Sequence, residues 1–169
     1  MRRIEVRDLS IEAFHRYGSY CNLRKEFSEA DMQSPQSLVM HWEVITQQLG
    51  VTTNPALFLC FFKDIPLKVT KLEAHDTCEE VLIFADDVIA PVAPATVGKP
   101  DPDQVEAFFV PKFTMVKYNY GVWHYAPIPY GTAIGRAFYS MPQRINNYDE
   151  CPVELDPKDY IEILPYSGN

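Results

Sequence analysis

Short apolar runs broken by turn residues dominate the chain. Residues 81–84, 88–92, 105–110, 114–118 and 133–140 are each rich in Val, Ile, Phe or Tyr, and each ends at Gly, Pro, Asp or Asn within a few positions. Such runs predict β-strands. Residues 56–62 form a nearly continuous apolar run, which suits a strand buried on both faces. Residues 67–72 alternate Leu67, Val69 and Lys71 against Lys68, Thr70 and Leu72, and residues 39–45 alternate loosely around His41 and Trp42. Asp86 and Asp87 form a turn pair, while Pro91 and Pro94 place the run at 88–92 on a sheet edge or end it early. One early segment has helical spacing. Ser10 is the N-cap, Ile11, Ala13, Phe14 and Tyr17 share a face, and Gly18 ends it. Residues 19–35 are polar and aperiodic and read as an irregular arm; residues 95–103 carry Gly98, Pro100 and Pro102 and read as a loop. The tail holds one helical turn at 157–160 and a last run at 161–164. Strands at roughly 8–12-residue spacing predict an all-β sandwich or barrel with a short N-terminal helix. Periodicity alone does not separate a jelly roll from another barrel.

Composition narrows the function more than the fold. With 169 residues and no internal repeat, one domain over 1–169 is expected. The hydrophobic fraction is 47% and the charged fraction 22%, so the chain can fold without a metal or disulfide. Its 15 basic and 23 acidic residues leave a net charge of −8, which argues against a nucleic-acid or anionic-membrane partner. No apolar run approaches the roughly 18 residues of a membrane span, and the opening MRRIEVRD has no apolar stretch behind it, so a cytoplasmic location is expected. Cys21, Cys60, Cys78 and Cys151 form no CxxC pair and are expected to be reduced thiols. The phosphate-binding patterns GxGxxG and GxxxxGK[ST] and the nucleophile pattern GxSxG are absent.

Candidate chemistry gathers in two strings. His15, on the predicted helix, reads as solvated or structural, and His41 as a core or rim residue. His75 lies in Glu73-Ala74-His75-Asp76-Thr77-Cys78-Glu79-Glu80. In an extended chain Glu73 and His75 face the same way, and a turn at 76–79 returns Glu80 beside them. Carboxylates and an imidazole on one concave face suit a divalent cation; a solvent-facing acidic hairpin is the plainer alternative. The second string is Tyr118-Asn119-Tyr120-Gly121-Val122-Trp123-His124-Tyr125. Gly121 permits a tight turn, Trp123 would wall a pocket and His124 would point into it. The plainer alternative is an aromatic hairpin that fills one end of the core.

Glu73-x-His75-x4-Glu80 resembles the first cupin motif, with Glu73 in place of the usual first histidine, and Gly121-x-x-His124 resembles the second. Lys99-Pro100-Asp101, Ala107-Phe108, Val116-x-Tyr118-x-x-Gly121-x-Trp123-His124-x-x-Pro127 and the tail Glu150-Cys151-Pro152-Val153-Glu154 resemble the signature of the ureidoglycolate lyase family. The resemblance implies a cupin-type β-barrel (a double-stranded β-helix or jelly roll), a homodimer, and cleavage of ureidoglycolate to glyoxylate and urea in purine catabolism through allantoin. Where that family commonly has glutamine this chain has Glu80, which restores the usual cupin ligand pattern. A divalent metal (Mn, Fe, Ni, Co or Zn) is then expected on Glu73, His75, Glu80 and His124. The expected catalytic residues are His124, Glu80, Tyr118 and Lys63. Tyr118 or Tyr125 would donate to the leaving nitrogen. Trp123, Tyr125 and Lys63 would bind substrate, with Lys63 pairing its carboxylate at a position where the family tends to have arginine. Without a metal, His124 would be the acid/base. The alternatives are another cupin enzyme acting on a small hydroxy or keto acid or a sugar, and a non-catalytic cupin that binds a small molecule.

Overall fold

A computed structural model describes residues 1–23, 55–63, 65–76, 80–142, 149 and 152–168. Two sheets hold the larger core between them. The first is antiparallel and runs β3 (Gly18–Asn22), β10 (Thr114–Tyr118), β7 (Glu80–Phe84), β13 (Ile134–Pro142), β4 (Pro55–Lys63). The second runs β11 (Trp123–His124), β8 (Val88–Ala93), β9 (Glu106–Val110), β2 (Val6–Asp8), and β12 (Ile128–Pro129) also pairs with β8. Leu82, Phe84, Val116 and Tyr118 of the first sheet meet Val88, Ala90, Val92 and Phe108 of the second. Phe14 plugs this core, its ring edge-on to Phe108 at 5.3 Å. Each such buried side chain contributes about 1.5–3 kcal/mol.

The opposite face of the second sheet is covered as well. Ile89, Ala93, Ala107 and Trp123 join Val69, Leu72, Ile161 and Ile163 in a second core. It lies against a sheet of β1 (Arg2–Ile4), β15 (Ile161–Ile163) and β5 (Lys68–Val69), and beside a pair of β14 (Val153–Glu154) and β6 (Lys71–Leu72). Burial on both faces explains the unbroken apolar string of β8, whose six residues are all buried.

The structure is mostly strand with one short helix, and several details depart from the expectations. The helix α1 (Ile11–Phe14) is a single turn. Ser10 caps it by accepting a hydrogen bond from the Ala13 amide at 3.2 Å, but Ile11 points into solvent. Within the expected arm at 19–35, residues up to Asn22 belong to β3; the rest of the arm and the expected strand at 39–45 lie outside the described residues. The 56–62 run is buried on one face only. It forms β4, the last strand of its sheet, and Leu57 and Phe61 are 68% and 65% exposed. The expected single strand at 67–72 is two short ones that join different sheets on either side of Thr70. Pro91 sits in a central strand rather than at an edge. Its carbonyl accepts from the Tyr125 amide at 3.1 Å, so its nitrogen faces the same side, into the gap between β11 and β12, where the ladder needs no donor.

Gly18 allows a close approach that matters to the site. A Cβ there would lie 1.7 Å from the Lys117 carbonyl oxygen, so only glycine lets β3 lie against β10 opposite Tyr118. Cys21 and Cys60 are free thiols; Cys78 and Cys151 lie outside the described residues. Among the described residues no helix is long and apolar enough to cross a membrane.

Candidate metal centre

Backbone pairing stitches the two chemical strings together. The Glu73 amide donates to the His124 carbonyl at 2.8 Å, and the His124 amide donates to the Glu73 carbonyl at 2.9 Å. The Gly121 amide donates to the His75 carbonyl at 2.8 Å. Gly121 takes φ +66°, a left-handed turn that glycine adopts without strain and that delivers Trp123 and His124 into β11. Glu80 enters from the far side as the first residue of β7, opposite Tyr118 on β10.

His75, Glu80 and His124 converge. One ligand atom from each lies within 4.8 Å of the others, and the residues are only 7%, 4% and 5% exposed. The two imidazoles lie 5.3 Å apart. Each ring is oriented by its Nδ1: that of His75 contacts the Asp149 carbonyl at 2.6 Å, and that of His124 the Val122 carbonyl at 3.1 Å. A carbonyl oxygen only accepts, so Nδ1 carries the proton in both rings and Nε2 is the free ligand atom. The Glu80 Oε2 and His124 Nε2 atoms are 3.2 Å apart, close enough for charge attraction, yet both are buried without a hydrogen bond. Buried polar atoms are seldom left unpartnered. Ligand atoms on one cation with bonds of about 2.1 Å lie roughly 3–4 Å apart, so this donor set fits a divalent ion after a small inward movement.

Glu73 stands at the rim of this trio. Its side chain is 33% exposed, and its Oε1 lies 3.6 Å from His124 Nε2, a charge attraction rather than a hydrogen bond. That attraction holds its carboxyl below the usual range against the opposing effect of burial. Burial pushes the Glu80 carboxyl up, partly offset by His124 and His75. For His124, burial works against charge but Glu80 and Glu73 outweigh it, and the pKa is pushed up to about 9.

The raised pKa sets a pH dependence. The protonated imidazolium beside Glu80 and Glu73 stabilises the metal-free protein fully below the ordinary pKa of about 6.5, and this contribution is lost as pH rises through about 9. A cation held on this trio would have to displace that proton, so its apparent affinity would rise by up to about tenfold per pH unit between pH 7 and 9 and then level off. Calorimetric titration with Mn(II) at pH 6.5, 7.5 and 8.5 measures this; a flat profile contradicts it.

Other candidates occupy distinct places. The Tyr118 ring stacks on His124 at 5.2 Å and 14°. Its hydroxyl is buried without a hydrogen bond, and burial, then the Glu80 charge, push its pKa far up, so it stays protonated. Tyr125 lines a cavity of about 80 Å³ with Lys71, Leu72, Glu73, His124 and Ala126. Trp123 packs into the second core and its Nε1 donates to Thr96 Oγ1 at 2.8 Å, away from that cavity. Lys63 is not brought to the cluster. It is exposed and pairs with Ile134 at the end of β4, on the same strand face as the exposed Leu57, Leu59 and Phe61. His15 is exposed, its Nδ1 against the Glu12 carbonyl at 2.8 Å; His41 lies outside the described residues.

Sequence reasoning missed Tyr139, Asp149 and Lys71. Tyr139 pairs with Leu82, two residues along β7 from Glu80 and on the same face, and its phenol is buried. The alternation Gly135, Ala137, Tyr139 of buried positions was the available signal. Lys71 was readable too, because it precedes Glu73 and His75 at two-residue spacing. Asp149 had no signal: its carbonyl holds His75 and its Oδ1 accepts from the Asp76 amide at 2.9 Å, across more than seventy residues of chain.

A family model described as ureidoglycolate lyase matches residues 1–158. No curated protein matches. Similar solved structures include Bacillus subtilis oxalate decarboxylase, in work on its Mn(II) centres, at 14% identity, 60% coverage of this chain, 24% coverage of that chain and a TM-score of 0.42. A mutant of the same Bacillus subtilis enzyme matches at 14% identity with the same coverages and a TM-score of 0.41. The chain spans about a quarter of the length of these structures.

Proposed function

The chain belongs to the ureidoglycolate lyase family, and on that premise we propose that it is a carbon–nitrogen lyase that cleaves ureidoglycolate to glyoxylate and urea within one cupin-type barrel. The observation that carries this reading is the convergence of His75, Glu80 and His124, with two ligand atoms buried and without a hydrogen bond. These three residues would hold a divalent cation (Mn, Fe, Ni, Co or Zn), which when bound supplies Lewis acidity to the substrate's carboxylate and hydroxyl oxygens.

The chain's own residues move the proton. Lysis breaks the C–N bond, turns the carbinol oxygen into the aldehyde of glyoxylate, and transfers the hydroxyl proton to the departing urea nitrogen. Glu73, ionised and beside the cavity, accepts that proton and returns it to nitrogen. Tyr118, held protonated, and Tyr125, on the cavity wall, are hydrogen-bond donors to the leaving group. Stacking of Tyr118 on His124 keeps that imidazole in place.

The protein is also proposed to be a homodimer. Leu57, Leu59 and Phe61 of β4, with Ile134 and Phe138 of β13, are large, apolar and exposed on one face of the sheet edge, the kind of surface a second copy would cover. Light scattering that gives a monomer mass removes this part alone.

The direct test is incubation of the metal-loaded protein with ureidoglycolate. Glyoxylate and urea should appear in equal amounts, well above the rate without protein. No release above that rate overturns the assignment.

A further inference from the structure

Lys71 opens β6, and with Glu73 and His75 it occupies positions i, i+2 and i+4 of one extended segment, so the three side chains share a face. It lines the cavity that Glu73, His124 and Tyr125 also line. Among the described residues no carboxylate lies within ion-pair distance of its ammonium, although Glu154 is its partner in the β14–β6 register. Its charge is felt inside the site, where it adds to the pull that keeps the Glu73 carboxyl ionised.

The cavity needs such a charge. Glu73 makes one of its walls acidic, and an anionic ligand entering beside it meets repulsion that the Lys71 charge offsets. Lys63, the lysine expected for this task, lies on the outer side of β4. Among the described residues, Lys71 is the lysine that lines the cavity.

We propose that Lys71 selects for an anionic substrate, its ammonium binding the carboxylate of a small 2-hydroxy or 2-oxo acid at the mouth of the cavity beside Glu73 and His124. A carboxylate has two oxygens, so one can meet Lys71 while the other turns toward His124 on the same cavity wall. This deepens the proposed function and rests on it only for the identity of the natural substrate.

The test compares glycolate with its neutral amide, glycolamide, by calorimetry on the Mn(II)-loaded protein. Wild type should prefer glycolate. Lys71→Met should weaken glycolate about tenfold or more and leave glycolamide unchanged, while Lys71→Arg keeps most of the preference. In turnover the KM for ureidoglycolate should rise about tenfold in Lys71→Met. Lys71 is exposed, so the variants should fold, and their melting temperatures check this. Unchanged glycolate binding in Lys71→Met, equal weakening of both ligands, or no preference in wild type overturns the proposal. Glycolate preference without glyoxylate release from ureidoglycolate leaves Lys71 standing and removes the lyase reading instead.

Discussion

His124→Ala should strip the protein of bound metal and lower kcat/KM for ureidoglycolate by about 10³-fold or more, because the several kcal/mol of charge stabilisation that a held cation supplies disappear together. The imidazole is buried, its Nε2 is 3.2 Å from Glu80 and 3.6 Å from Glu73, and its Nδ1 is held by the Val122 carbonyl. Alanine keeps the backbone bridge to Glu73, since both of its hydrogen bonds are main-chain. The local fold should therefore survive, and the loss should be chemical. Elemental analysis and glyoxylate release measure the two effects side by side. His15→Ala is the control: an exposed imidazole on α1 whose removal should change neither. If His124→Ala retains both metal and turnover, the site is elsewhere.

The parts of this site that are local in sequence were readable from it. Extended backbone alternates faces, so Glu73 and His75 had to share a side. Gly121 before Trp123 and His124 marked the turn, and Ser10 marked the helix start. What depended on distant partners was hidden. Nothing in residues 56–62 says that only one face of β4 meets the interior, because an apolar run looks the same whether one sheet or two cover it. That parity also places Lys63 outside, while Lys71 lines the cavity. The N-terminal strands β1 and β2 are short and charged, and they exist because β15 and β9, more than ninety residues away, offer parallel edges. Pro91 looked like an edge residue because its tolerance comes from the gap between β11 and β12, a feature of three strands together.

The two carboxylates near His124 should separate by role. Glu80 is buried at 4% exposure, belongs to the close trio, and has an oxygen with no hydrogen bond. Glu73 sits a third exposed at the rim, outside that trio. Binding that favours the folded state stabilises it by about 4 kcal/mol at a thousandfold excess over Kd, which for a chain of this length is a rise in melting temperature of roughly 8–16 °C. Wild type should show such a rise with Mn(II) or Zn(II), reversed by a chelator. Glu80→Gln should lose most of it, because the amide is a poorer ligand and leaves the imidazoles without their buried anion. Glu73→Gln should keep most of the thermal shift yet lower turnover about 10²–10⁴-fold, the range for a missing general base. A Glu73→Gln protein that loses the shift as fully as Glu80→Gln would make Glu73 a fourth ligand and leave the proton without its proposed carrier. A Glu80→Gln protein that keeps the shift would detach the cation from the buried cluster altogether.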